Sequence, residues 1–154
     1  MIRKFTRMVG GRTIEVTLDT DDLQPGADLA FDAGAVAAEI GLVGELLGVV
    51  TEQIEVADSG YRHWRAGEAG KIIARDPKLA EWKVKAAIEA KAEFMDHKRR
   101  IAGVSGDLEF LRSYHAALKT KASMVRGRIE LERGERDGTS LGVDARDDSV
   151  SQTD

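Results

Sequence analysis

A chain of 154 residues with 42% hydrophobic and 32% charged side chains suits one domain with a single core and excludes a wholly disordered polypeptide. The absence of cysteine excludes disulfides, zinc ribbons and thiol chemistry, and 5% aromatic residues with two prolines fit long helices better than a sandwich of short strands. The net charge of −4 conceals a division: residues 1–60 balance at −7, residues 61–136 at +7 and residues 137–154 at −4, which points to an anionic partner or to internal pairing.

Residues 2–18 read as a β-hairpin. Phe5, Arg7 and Val9 alternate with Thr6 and Met8, and Gly10-Gly11 supplies the positive φ angles of a tight turn. In the second arm Ile14, Val16 and Leu18 share a face. A lone two-stranded ribbon is marginally stable, so it must pack on helices or pair with copies of itself. Residues 19–31 form an acidic connector, which completes a first segment over 1–31.

The second segment, residues 32–133, is helical. Asp32 is an N-cap for a first helix whose apolar positions are Val36, Ile40, Val43, Leu47, Val50, Ile54, Ala57, Tyr61 and Trp64. Their unbroken 4, 3 spacing is a coiled-coil seam. Gly41, Gly44 and Gly48 lie beside it; each weakens a helix by about 1 kcal/mol relative to alanine, so a neighbouring backbone is expected close by. The helix is expected to fade across residues 66–70. Asp76-Pro77 then starts another, with Leu79, Trp82, Ala86 and Ala90 on one side. A last helix runs from about Glu93 to Arg133, along Ile101, Val104, Leu108, Leu111, His115, Leu118, Ala122, Val125 and Ile129. Its second apolar line, Phe110, Ala117, Met124 and Leu131, needs a further neighbour, which implies self-association. Val43, Leu47, Val50, Ile54, Leu108, Leu111, Leu118 and Val125 are the expected oligomerisation positions. From Gly134 to Asp154 the periodicity stops, and this third segment reads as a disordered acidic tail, able to mimic DNA or to meet a basic groove.

Two groups of cations stand out. Lys98, Arg112, Lys119, Arg126 and Arg133 fall in one column of the last helix, and Arg100, Lys121 and Arg128 in the column across the seam. Such lines follow a phosphate backbone, or pair with carboxylates at coiled-coil flanks. The other group, Tyr61-Arg62-His63-Trp64-Arg65 followed by Lys71, Arg75, Lys78, Trp82, Lys83 and Lys85, sets both tryptophans among cations. Single-stranded nucleic acid is held by a cationic groove with rings on which bases stack; the same rings also continue apolar helical faces.

Enzyme signals are poor. Glu93 and His97 stand at i, i+4 without a third ligand, His115 interrupts a seam, and no phosphate-cradling glycine motif occurs. No catalytic residue, metal or cofactor is expected. No apolar run approaches the roughly 20 residues that span a bilayer, and Met1-Ile2-Arg3-Lys4-Phe5 lacks a signal core. A cytoplasmic protein without membrane contact is the expectation.

Residues 82–90, Trp-Lys-Val-Lys-Ala-Ala-Ile-Glu-Ala, precede the long helix that closes in Ala117-Leu118-Lys119-Thr120-Lys121-Ala122-Ser123-Met124-Val125-Arg126-Gly127-Arg128. Over about residues 61–131 this pattern resembles the UvsY-like recombination mediators of bacteriophages. The resemblance implies a non-enzymatic, ring-forming homo-oligomer that binds single-stranded DNA and helps a recombinase replace the single-strand-binding protein, in the bacterial host cytoplasm. It places the basic segment at Arg62 and Arg65 and the closing cluster at Lys121, Ser123, Arg126 and Gly127. In this chain His63 and Trp64 split the family's adjacent basic pair. With the charge division, it leads to Arg62, Arg65, Lys71, Lys83, Lys85, Arg112, Lys119, Lys121, Arg126 and Arg128 as expected DNA contacts. The alternative is a helical structural or adaptor protein of a phage particle with no nucleic-acid role.

Overall fold

The computed structural model describes residues 1–9 and 12–144, with side chains over 1–6 and 13–135. It is mainly α with an N-terminal hairpin, in the order β1 (Ile2–Val9), β2 (Arg12–Asp19), a 3-10 turn (Thr20–Leu23), α1 (Leu29–Arg75), α2 (Glu81–Glu89) and α3 (Ala92–Asp144). The strands pair antiparallel with Phe5 opposite Val16 and Val9 opposite Arg12. The Gly10-Gly11 turn lies outside the described residues.

Alternation puts Phe5, Val16 and Leu18 on one face of the ribbon, and that face lies on helices of the same chain. Phe5 and Leu18 are buried with Val43, Leu46 and Val50 of α1 and Leu108, Leu111, Tyr114 and Leu118 of α3. Arg3 fixes the ribbon edge to α3: its guanidinium donates to Asp107 Oδ1 (2.9 Å) and to the Gly106 carbonyl (3.2 Å), and lies over the Phe110 ring. Of the two ways to stabilise a lone ribbon, docking on helices is the one used.

The helices α1 and α3 run antiparallel, since Tyr61 meets His97 near one end and Ile40 shares a cleft with Val125 near the other. At 1.5 Å per residue, the 47 residues of α1 extend about 70 Å, so the molecule is a rod. The expected oligomerisation positions are occupied within one chain. Val43, Val50, Leu108, Leu111, Leu118 and Val125 are buried, and Leu47 and Ile54 pack against the same cluster. These side chains are therefore part of the core of a single chain, whatever contacts copies make.

Element ends also differ from expectation. Asp28 caps α1 by accepting from the Phe31 amide (3.0 Å), whereas Asp32 sits one turn inside and accepts from the Gly26 amide. A Cβ on Gly26 would come within 3.2 Å of Asp32 Oδ2, so glycine permits that close approach. The helix α1 does not fade at residues 66–70 but runs on to Arg75, where Asp76 is its C-cap rather than the start of the next helix. The Asp76 carboxylate instead accepts from the Lys78 amide in a turn, and α2 begins at Glu81. Its inward residues are Val84 and Ile88, not Trp82 and Ala86. The expected tail is helical as far as Asp144, and residues 145–154 lie outside the described residues. Once formed, a helix extends at one hydrogen bond per residue fixed, so it outlasts its apolar lines.

The expected close backbone beside the α1 glycines is not present among the described residues: nothing of them lies within 4 Å of a Cβ built on Gly41, Gly44 or Gly48. A window of 18 residues in α1 is also long and apolar enough to cross a membrane by length and composition. This departs from the expectation that no apolar run approaches a span, and only 22% of the window is buried, through residues such as Val36, Val43, Leu46 and Val50.

Candidate nucleic-acid interface

The antiparallel fold sorts charge along the rod. Residues 61–100, the end of α1, all of α2 and the start of α3, carry eleven Lys and Arg against six Asp and Glu. Residues 29–60, the first part of α1, carry six carboxylates and no cation. One end is therefore a basic tip.

The tip is held by two devices. Tyr61 and Trp64, one helical turn apart on α1, stack with ring centroids 6.2 Å apart. Phe94 and His97 of α3 close on them, His97 lying 5.0 Å from Trp64, and Lys98 Nζ stands 4.8 Å over Tyr61. Tyr61 and Trp64 thus wedge two helices together, the packing alternative left open by the sequence. The second device is Glu68 on α1, whose carboxylate accepts from Lys71 (2.6 Å) and from Lys91 at the α2–α3 junction. The Lys71 hydrogen bond, then that of Lys91, pulls its carboxyl down to about 2.

Trp82 is different. It stands on α2 with 68% of its surface exposed, Lys83 Nζ lies 5.5 Å from its ring centroid, and it lines a groove of about 610 Å³ between α1 and α2 together with Arg65, Ile73, Lys85 and Ile88.

Of the ten expected DNA contacts, Arg62 is paired with Asp58, Lys71 with Glu68 and Lys85 with Glu89 (3.9 Å). Arg65 and Lys83 stay at the tip without a carboxylate among the described residues. Arg112, Lys119 and Arg126 are exposed at seven-residue intervals on α3, with Arg128 exposed on its other flank, and none has a carboxylate in ion-pair distance among the described residues. Seven residues of helix are about 10 Å, so the column spans about 21 Å. Lys121 departs from expectation: it is buried, and its ammonium donates to the Asp22 carbonyl (2.7 Å). It holds the 3-10 turn to α3 and is not a surface contact.

Three functional or structural groups escaped the sequence reading. Glu68 falls four residues after Trp64, the next step of the α1 seam, so the same spacing was a signal for it. Lys91 carried no such signal. Tyr114 occupies the buried place expected of His115, and its hydroxyl donates to Glu39 Oε1 (2.6 Å) with the Asp19 carbonyl 3.0 Å away. Among the described residues no three His, Asp or Glu side chains gather as a metal site; His97 belongs to the aromatic wedge instead.

No family model, curated protein or solved structure matches the chain.

Proposed function

We propose that the protein binds single-stranded DNA along its basic tip and the exposed face of α3, without chemistry of its own. In the role that the resemblance to UvsY-like mediators implies, it loads a recombinase onto strands coated by single-strand-binding protein. The observation that carries the reading is that Arg65, Lys83, Arg112, Lys119, Arg126 and Arg128 remain free of carboxylates among the described residues, while the exposed Trp82 lines a groove with Arg65 and lies beside Lys83. Cations left unneutralised by their own fold displace condensed counterions from a polyanion.

The test is a salt titration of binding to oligo-dT by the protein and by the triple variant Arg112→Gln, Lys119→Gln, Arg126→Gln. Each lost phosphate contact lowers the slope of log K against log salt by about 0.7, so the variant is expected to lose about 2. Binding that is absent at low salt, or equal slopes for the two proteins, refutes this path for the strand.

A second reading is favoured by a different observation. The cation-free acidic stretch of α1 and the basic tip are complementary in sign, which suits copies paired end against flank in a structural or adaptor protein of a particle.

A further inference from the structure

The groove beside Trp82 has features that a simple phosphate track does not need. Its floor is apolar, from Val84 and Ile88, which are buried, and Ile73, half exposed, forms part of its wall. Its volume, about 610 Å³, falls within the range of roughly 300–1,000 Å³ of small-ligand clefts. A large ring is left facing water here, although the other tryptophan is spent in a wedge between helices. Ring contacts with Tyr61 and His97 explain Trp64; packing does not explain Trp82.

We infer that this groove holds one unstacked nucleobase of the bound strand, with the Trp82 ring as its stacking platform. The inference rests on the single-strand reading above and deepens it. Arg65 on α1, which lines the groove, and Lys83 over the ring meet the phosphates on either side of that base, and Lys85, also in the lining, joins them by exchanging its 3.9 Å contact with Glu89 for a phosphate. Glu81 is the acid of the lining. It repels phosphate and accepts from the N–H groups of a base edge, so the base points inward and the backbone stays at the cationic rim. Charge complementarity therefore selects a nucleotide strand over an acidic helix, which would bring carboxylates and a bulky backbone but no flat ring.

The experiment compares the full chain on a 20-residue oligo-dT and on an abasic oligonucleotide of equal length, which has the same phosphates and no bases. The abasic strand is expected to bind about tenfold more weakly, since stacking on an aromatic side chain contributes about 1–3 kcal/mol per base. Trp82→Ala is expected to abolish the difference while keeping the salt slope, and Trp82→Phe to retain part of it. In a Trp64→Phe background, the remaining indole fluorescence is expected to be quenched by oligo-dT and not by the abasic strand. Equal affinity of the normal chain for both strands, or undiminished discrimination by Trp82→Ala, overturns the base-holding groove and leaves salt-dependent strand binding standing. Quenching on self-association without DNA also overturns it, by giving the groove to a second copy. No binding to either strand at low salt removes both readings together.

Discussion

Two buried polar contacts fix how the helices and the ribbon meet. The Tyr114 hydroxyl ties α3 to Glu39 of α1, and burial first, then that hydrogen bond, pushes its ionisation upward. Tyr114→Phe leaves a half-buried carboxylate one donor short, so a loss of about 2 kcal/mol is expected in urea unfolding. Glu68 shows the opposite shift. A carboxyl lowered from 4.5 to about 2 contributes stability that is present above pH 4.5 and lost as pH falls through about 2. The clamp on Lys71 and Lys91 is therefore expected to open between those values. Titration of the Glu68 side-chain carbon by NMR checks it, and a midpoint near 4.5 would mean that no clamp exists in solution. Both residues show the limit of pattern reading: the seam spacing marks where a side chain turns inward, but not which polar partner awaits it.

At the scale of elements, the α1 seam was readable because one repeat continues from Val36 to Trp64, covered mainly by α3 with the ribbon over its Val43–Val50 part. On α3 the buried set shifts by one residue at two places, with Tyr114 and Lys121 where His115 and Ala122 were expected. A straight helix of 3.6 residues per turn drifts against a 3.5-residue repeat, and the docked ribbon and 3-10 turn add cover on that flank. Asp76-Pro77 misled for a related reason. The Asp76 carboxylate does accept from an amide two residues on, as an N-cap would, but only a turn follows it before α2. Apolar seams likewise do not state whether their partner is the same chain, and the positions expected to join copies also pack within one chain, six of them buried and two, Leu47 and Ile54, partly so. The α1 glycines remain open on their outer side, so Gly48→Ala is expected to raise stability by about 1 kcal/mol through helix propensity alone. Thermal unfolding measures this; a loss of stability would show that another surface approaches the glycine in solution.

For the whole molecule, the division of charge was legible in the sequence, but its geometry was not. Only the antiparallel turn through α2 gathers residues 61–100 at one end and leaves the acidic half of α1 towards the other. Assembly by pairing those ends and assembly by apolar contact respond differently to ions. With a screening length of about 10 Å at 0.1 M and 3 Å at 1 M, sedimentation in 1 M salt is expected to dissociate copies held by charge and to preserve those held by apolar surface. A mass that survives high salt together with strand binding that does not would favour the mediator reading over the particle component.

The sorted charge has a consequence for motion as well as for contact. A body with a net charge of −4 is repelled by a polyanion at long range, yet this one carries a cationic excess at the α2 end and an acidic excess along the first part of α1, and so has an electric dipole. In the field gradient around a phosphate chain such a body turns before it arrives, and the torque presents the α2 end first. Orientation during approach lets an acidic protein reach a nucleic acid with the end bearing Trp82 in the lead.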